Sequence, residues 1–520
     1  MAIAGNRLRL VTLLLTAVLL GACSVSSAGP DQPATGSRHA ATSATSADDW
    51  TSFGNGPLHD FVAPTSLSAA SIGTLHKAWF FPTGDAVTAT PTIVHGVVYF
   101  GSWDTRFYAV DLSSGKLKWS YQLDHQTAVT PYPGEHPRNS ASDGGLVTSS
   151  AWYEPAGSSH PALVIFGAGY TLYALDADNG TLFWKHIYDG LPSEPPSPTT
   201  DPTRIFSSPI VEHGNVYFGV DTDGQPHEKG YVVAANLLTG DPTWIHQTDV
   251  NGSGKVLYDG CGGVWSSGTY LPVLDDVVFT VADCNNKNAQ SATAERVISL
   301  DARTGSLRWS TNVVGTDPGC DFDEVGTNAG VGNDGSPDFL GAFGKQGTYS
   351  SLDPATGAVR WSTRVVFGGA AGGFIGSPAY TGSTIYGATG IGDATGRTVC
   401  EPGAAGDAAV ENPSFFAIDA GTGKVLWHAD GAQSFGSTTY AGGFTYSCLA
   451  LSPSAQVRDA TDGTVVATLE LPNVCWGGIA VSGTTVVMGT GSSASPSPTG
   501  VIAFEPTTVP VTSAASARSG

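Results

Sequence analysis

A chain of 520 residues that holds 67 glycines and 32 prolines but only 13% charged residues is not a collagen, a coiled coil or a mainly helical protein, because Gly and Pro interrupt helices too often. Its 41% hydrophobic content excludes wholesale disorder. Acidic residues outnumber basic ones 45 to 23, for a net charge of −22, and no basic run occurs beyond the extreme N-terminus. That argues against nucleic acid as a partner, since such binding needs clustered cations to displace counterions.

In chain order, residues 1–22 combine Arg7 and Arg9 with an apolar run from Leu10 to Leu20. The run is too short to span a bilayer, which takes about 20 residues, and reads as a signal peptide. Leu20-Gly21-Ala22-Cys23 resembles the lipobox of bacterial lipoproteins. That resemblance implies cleavage before Cys23, acylation of its sulfur, and an extracytoplasmic protein anchored by lipid to the cell membrane; the bland alternative is an ordinary secretory peptide. Residues 23–48 are Ser, Ala, Thr, Gly and Pro with scattered charges, a tether unable to bury a core, and residues 507–520 have the same character. Six further cysteines, Cys261, Cys284, Cys320, Cys400, Cys448 and Cys475, suit three disulfides in an exported chain. Their pairing does not follow from sequence; Cys261 and Cys284, flanking one predicted hairpin, are the preferred pair. No C-x-x-C occurs, hence no zinc knuckle, thioredoxin-type pair or covalent haem motif.

Residues 49–506 repeat a unit: a small-residue step into a short strand, a hydrophobic strand, an Asp-x-x-(Thr/Ser/Asn)-Gly turn, and a strand ending in Trp. It reads Asp111…Gly115…Trp119, Asp176…Gly180…Trp184, Asn236…Gly240…Trp244, Asp301…Gly305…Trp309, Asp353…Gly357…Trp361 and Asp419…Gly423…Trp427. A seventh copy lacks the Trp (Asp459…Gly463…Leu469), and an eighth stops after Ile502-Ala503-Phe504-Glu505. Eight units of roughly 57 residues each have room for four short strands. Asp followed by Gly makes a tight turn, because the carboxylate bonds backbone amides and Gly accepts positive φ. Alternation along Lys116-Leu117-Lys118-Trp119 predicts that Leu117 and Trp119 meet different neighbours, and a Trp at one fixed place suits a ring wedged between adjacent sheets. The pattern predicts an all-β protein, an eight-bladed β-propeller of four-stranded antiparallel blades, closed by Lys77-Ala78-Trp79-Phe80-Phe81 completing the eighth blade.

These repeats resemble the pyrroloquinoline quinone (PQQ) repeat, and the run from Trp50 to about Pro506 is similar to the quinoprotein alcohol dehydrogenase superfamily. Thr88-Ala-Thr-Pro-Thr-Ile-Val-His-Gly-Val-Val-Tyr99 with Trp103 points to its polyvinyl-alcohol-dehydrogenase-like branch. The resemblance implies PQQ stacked on a Trp, a Ca²⁺ polarising the quinone, an Asp as general base and a Lys or Arg at the quinone oxygens. Matched position by position, Gly262-Gly263-Val264-Trp265 makes Trp265 the stacking candidate, outside the phase of the repeated Trp. Cys320-Asp321-Phe322-Asp323 makes Asp321 the candidate base, with Asp317 a further option, and places Asp323 at the cofactor. Phe343-Gly344-Lys345-Gln346-Gly347 makes Lys345 the candidate cation. Each also has a plain structural reading: a blade-docking Trp, a turn carboxylate, a surface Lys.

The calcium positions depart from the family. Val281-Ala282-Asp283-Cys284-Asn285 stands where Gly-x-Gly-Asn is usual, and Gln225 stands where a Glu is usual, beside Asp223 and Glu228. Ca²⁺ prefers several charged oxygens, so these residues argue against it. Two readings stay open: a PQQ-dependent dehydrogenase of alcohols or polyols passing electrons to a separate cytochrome or membrane quinone, or a catalytically inert propeller serving as a binding or scaffold lipoprotein. The phosphate-loop look of Thr422-Gly423-Lys424 and Ser253-Gly254-Lys255 is dismissed, since each Lys is followed by Val in a strand context.

Overall fold

The computed structural model describes residues 45–123, 147–188, 205–221, 230–248, 250–251, 253, 262–282, 294–313, 324–366, 368, 372–390, 414–492 and 498–507. The leader, Cys23, both candidate acids Asp321 and Asp323, and Cys261, Cys284, Cys320 and Cys400 lie outside them.

Eight antiparallel sheets follow one another along the chain. Blade 1 is built from Thr92–Val94, Val97–Ser102, Arg106–Asp111 and Leu117–Gln122, and the others repeat that order: blade 2 from Trp152–Glu154 to Leu182–Ile187, blade 3 from Ile210–Glu212 to Pro242–Gln247, blade 4 from Thr269–Leu271 to Leu307–Thr311, blade 5 from Glu324–Val331 to Val359–Arg364, blade 6 from Ala379–Tyr380 to Val425–Asp430, and blade 7 from Thr439–Ala441 to Val465–Glu470. Blade 8 contains Ile479–Ser482, Thr485–Thr490 and Thr499–Pro506, and its outer strand is Leu75–Thr83 from the other end of the sequence, paired antiparallel from Leu75↔Pro506 to Thr83↔Thr499. The predicted closure is therefore the one observed. Joining the chain ends inside one sheet removes the open edge that a linear stack would expose.

The joints between blades use the repeated residues. Trp119 of blade 1 donates its indole N–H to the Ala177 carbonyl of blade 2 at 3.0 Å, and its ring lies against Gly180. The same arrangement sets Trp184 on Gly240, Trp244 on Gly305, Trp309 on Gly357, Trp361 on Gly423 and Trp427 on Gly463; Trp79 of blade 8 rests on Gly115 of blade 1. Each of these glycines ends the Asp turn, or in blade 3 the Asn236 turn, with positive φ, for example 74° at Gly180. In the turn itself the Asp carboxylate accepts from the amide three residues on, as at Ser114 N to Asp111 Oδ1 (3.0 Å) and Thr304 N to Asp301 Oδ1 (2.8 Å). The hydroxyls of Ser114 and Thr422 are the main cause that holds Asp111 and Asp419 below the ordinary carboxylate range.

One detail of the repeat comes out as the sequence leads one to expect but for another reason, and a second comes out differently. Leu117 and Trp119 do meet different neighbours, Leu117 being 51% exposed and Trp119 buried. Simple alternation would put residues two apart on one face; a β-bulge between the Ala109↔Trp119 and Val110↔Leu117 pairs separates them, and it recurs in the outer strands of the other blades, for example before Trp184, Trp244 and Trp309. In blade 7 the position of the repeated Trp is held by Ala467, paired with Val457, and not by Leu469. The missing Trp has a topological reason. Blade 8 takes its outer strand from the N-terminal side, so no Asp-Gly turn links its third and fourth strands, and a Trp on blade 7 would find no glycine to lie on. At this joint the structure instead joins Cys448, the end of blade 7's second strand, to Cys475, just before blade 8's first. The bridge closes a loop of sequence separation 27; reducing it is expected to lower unfolding free energy by about 3 kcal/mol, measured as a shift in the guanidinium midpoint with and without reductant.

The axial channel is occupied by the segment before the first blade, which runs round the inside of the ring in blade order. Trp50 pairs with Ile93 of blade 1; the carbonyls of Thr51, Pro57, Leu58, Asp60 and Phe61 accept from the amides of Tyr153, Tyr270, Ala329, Tyr380 and Tyr440 in blades 2, 4, 5, 6 and 7; Thr65 Oγ1 donates to the Gly483 carbonyl of blade 8. Val62–Ala63 adds a parallel fifth strand to blade 7. Buried Trp50 and Phe61, with half-buried Phe53, form an aromatic core within this strap. Gly54 (φ 67°) permits the bend, since a Cβ there would stand 2.6 Å from His59 Cα. The strap divides the channel into two mouths.

Candidate functional site

One mouth lies where the chain enters each innermost strand. The small residues there form a hydrogen-bonded ring between neighbouring blades: Ser150 N donates to Ser208 Oγ (3.0 Å), Ser208 N to Ser267 Oγ (2.9 Å) and Ser377 N to Ser437 Oγ (3.3 Å). Small side chains in this ring leave a cavity of about 270 Å³ on the axis, floored by Phe53 of the strap. Aromatic rings at the entries of four blades, Phe206, Trp265, Phe435 and Trp476, share its wall with hydroxyls and the backbone of glycines such as Gly326, Gly376 and Gly478. None of the described lining residues is charged. A cation stands beside it: Lys345, in the turn between Pro337–Gly344 and Thr348–Leu352, has its Nζ 5.6 Å from the Trp265 ring centroid.

Trp265 therefore lies in the axial wall and not at a blade joint, and Lys345 is over its ring; these two sequence candidates are brought together. Asp321 and Asp323 precede the innermost strand of blade 5, whose Gly326 lines the cavity, but lie outside the described residues, as do Asp317, Gln225, Asp223, Glu228, Asp283 and Asn285. Among the described residues no group of three or more His, Cys, Asp or Glu side chains could hold a metal ion. The Thr148 hydroxyl oxygen is buried at this wall without a hydrogen-bond partner. An orphan of that kind at a cavity wall asks for a polar ligand atom.

Trp476 was missed in the sequence reading. Blades 4 and 8 stand opposite each other in a ring of eight, so Trp265 and Trp476 approach the cavity from opposite sides. Trp476 is held by its N–H on the Ala450 carbonyl (2.9 Å) and by an edge contact with Phe435 at 5.6 Å. The signal was present: Cys475-Trp476-Gly477-Gly478, like Gly262-Gly263-Val264-Trp265, sets a Trp beside a glycine pair just before an innermost strand, out of phase with the joint tryptophans. The strap was missed because nothing in its composition marks it as channel-filling. Its His59 is wholly buried with neither ring nitrogen hydrogen-bonded, packs edge-on against Phe53 at 5.1 Å, and burial drops its pKa to about 3. It is thus a neutral packing group beneath the cavity.

Comparison with known proteins agrees with this geometry. The family model for the glucose/ethanol/alcohol dehydrogenase β-propeller domain matches residues 50–327, and that for the outer membrane protein assembly factor BamB matches residues 293–443. A polyvinylalcohol dehydrogenase of Pseudomonas sp. is 23% identical over 386 residues, covering 68% of this chain and 57% of the relative. A lupanine 17-hydroxylase [cytochrome c] of Pseudomonas sp. is 24% identical, over 53% of this chain and 41% of its own length. The chain spans little more than half the length of the curated relatives it matches. The quinohemoprotein alcohol dehydrogenase of Comamonas testosteroni superposes with TM-score 0.68 at 16% identity, over 88% of this chain and 80% of that one. BamB from Moraxella catarrhalis superposes with TM-score 0.54 at 13% identity, over 83% and 99%. At such identities the superpositions speak for the fold alone.

Proposed function

We propose that this chain, which belongs to the glucose/ethanol/alcohol dehydrogenase β-propeller family, is a PQQ-dependent dehydrogenase of alcohols or polyols, exported and held at the cell membrane by a lipid on Cys23. The observation that carries the reading is the axial cavity, where an out-of-phase Trp265 with the Lys345 ammonium over its ring offers a flat anion-tolerant wall in a chain of net charge −22. The names of relatives, among them polyvinylalcohol dehydrogenase and quinohemoprotein alcohol dehydrogenase, support the same chemistry.

The described residues suit a flat, polyanionic quinone. Trp265 gives a stacking face, the glycine backbones let a ring system approach closely, the unpartnered Thr148 hydroxyl can donate to a ligand oxygen, and Lys345 can neutralise carboxylate or quinone charge. PQQ, when bound, supplies the two-electron acceptor. The part assigned to this chain is proton handling: Asp321, as general base, takes the substrate hydroxyl proton while hydride leaves the carbinol carbon, and the alcohol becomes a carbonyl compound. Lys345 stabilises the negative charge that grows opposite it. The electrons leave to a separate acceptor, as suggested by the cytochrome c and quinone in the names of two relatives. The match of residues 293–443 to an assembly factor favours a second reading, a propeller that binds other proteins without redox chemistry.

Titration of purified protein with PQQ, with and without Ca²⁺, separates the two. Saturable quenching of Trp fluorescence, with dye reduction on adding an alcohol, is expected. Trp265→Ala should weaken PQQ at least 10-fold, since a stacking and cation–π contact worth about 1.5–2 kcal/mol is lost. Absence of binding up to millimolar PQQ would overturn the dehydrogenase reading.

A further inference from the structure

The second mouth of the channel, at the far end of the innermost strands, holds a cavity of about 450 Å³ between the strap and the hairpins that follow the inner strands of blades 3, 4 and 5. Much of its wall is apolar, from Pro57 and Leu58 of the strap, Pro272 and Val273 of blade 4, and Val331 of blade 5, with His213 and Tyr270 beside them. Val273 and Val331 are 75% and 40% exposed, so the entrance is apolar too.

Two carboxyl groups line this apolar space, Asp60 of the strap and Glu212 at the end of blade 3's inner strand. Asp60 Oδ1 accepts from Val62 N at 3.0 Å. Among the described residues no other donor reaches Asp60 and none reaches Glu212. Arg303 is bound to Asp275 at 2.5 Å, and His213, which also lines the cavity, pulls Glu212 down against the larger effect of burial. Asp275 also takes His213 Nδ1 at 3.3 Å and the Tyr270 hydroxyl at 3.1 Å. Glu154 adds further negative potential at Glu212, and His59, beside Asp60 in the chain, is neutral through burial. Carboxyls partly removed from water with one donor between them are unfavourable as ions, and an occupant bringing N–H donors and positive charge would reverse that penalty. Among the described residues there is no three-ligand metal cluster here, and the apolar walls need a hydrocarbon body to cover them.

We propose that this mouth binds a small organic ammonium ion, its charged head between Asp60 and Glu212 and its apolar body against Pro57, Leu58, Pro272 and Val273. The site is separated from Trp265 by the strap and does not depend on the redox reading of the other mouth. Because burial raises both carboxyls, Asp60 to about 7, binding near neutral pH must expel a proton.

Isothermal titration with n-hexylammonium tests this on the unaltered protein, with hexan-1-ol and hexanoate as uncharged and anionic controls. Saturable binding of the amine is expected, at least 10-fold tighter than hexan-1-ol, with none for hexanoate. Affinity should fall at least 10-fold from pH 8 to pH 5, and the heat at pH 6.5 should differ between phosphate and HEPES by a released proton. The Asp60→Asn/Glu212→Gln variant should lose the preference for the amine while its unfolding midpoint at pH 8 is no lower than that of the unaltered protein. Equal binding of hexan-1-ol, binding that ignores pH, or no saturation at millimolar amine would each overturn the proposal, and the first two outcomes require no variant.

Discussion

Gly180→Val is expected to cost about 5 kcal/mol of unfolding free energy, and Gly96→Val about 2, although both glycines sit at nearly the same backbone angle, φ 74° and 72°. A branched side chain is strained at either position, and that shared strain is all that Gly96 suffers, since nothing stands within 4 Å of a Cβ there. At Gly180 a Cβ would lie 2.4 Å from Trp119 Cε3. The indole would have to leave its seat, opening the joint between blades 1 and 2 and stretching its bond to the Ala177 carbonyl. Overpacking adds about 2 kcal/mol and the lost hydrogen bond about 1. Guanidinium unfolding of both variants checks this: equal losses would mean that backbone conformation, and not the Trp-on-Gly contact, is what the repeat preserves.

The same contact explains why so much of the architecture is legible in the sequence. Asp, Gly and Trp at fixed spacing encode a turn, a positive φ and an inter-blade wedge, each a local requirement that leaves its mark on local sequence. Closure through Lys77–Phe81 was legible for the same reason, because Trp79 falls in the phase of the joint tryptophans. What failed to register depends on topology. The bulge ahead of each joint Trp cannot be told from plain alternation, so Leu117 and Trp119 part company for a reason that the residues themselves do not show. The seventh copy's lack of a Trp has no local cause in its residues; Ala467 at that position of blade 7 follows from blade 8 having no turn for a Trp to meet.

The site was legible to a smaller degree. Trp265 and Lys345 were singled out, and the structure sets them 5.6 Å apart. Trp476 and Phe53 were not, because convergence on an axis joins residues far apart in sequence, which no local spacing records. The strap is the clearest case. Residues 50–65 contain no repeat and little hydrophobic patterning, since their backbone, not their side chains, carries most of the contacts with the ring. Such a segment has no periodicity to betray it.

Asp60 makes the strap's attachment sensitive to pH, and its replacement by asparagine is expected to stabilise the protein by about 4 kcal/mol at pH 8 with little effect at pH 4. Burial raises this carboxyl from 3.8 to about 7, against a smaller opposing pull from its bond to Val62 N. A folded-state pKa above the unfolded one means that the fold favours the protonated acid. Stability from this group is thus full below pH 4, declines as pH climbs from about 4 to about 7, and is lost above that; a shift of about three units corresponds to about 4 kcal/mol. Asparagine keeps an oxygen for the Val62 amide and has no charge to bury, so Asp60→Asn should flatten this part of the profile. Urea unfolding at intervals from pH 4 to pH 9 would reveal it as two curves that coincide in acid and diverge through neutrality. Curves that stay parallel would mean that water reaches Asp60 freely enough to solvate its charge, and the strap would then hold the channel equally well in either protonation state.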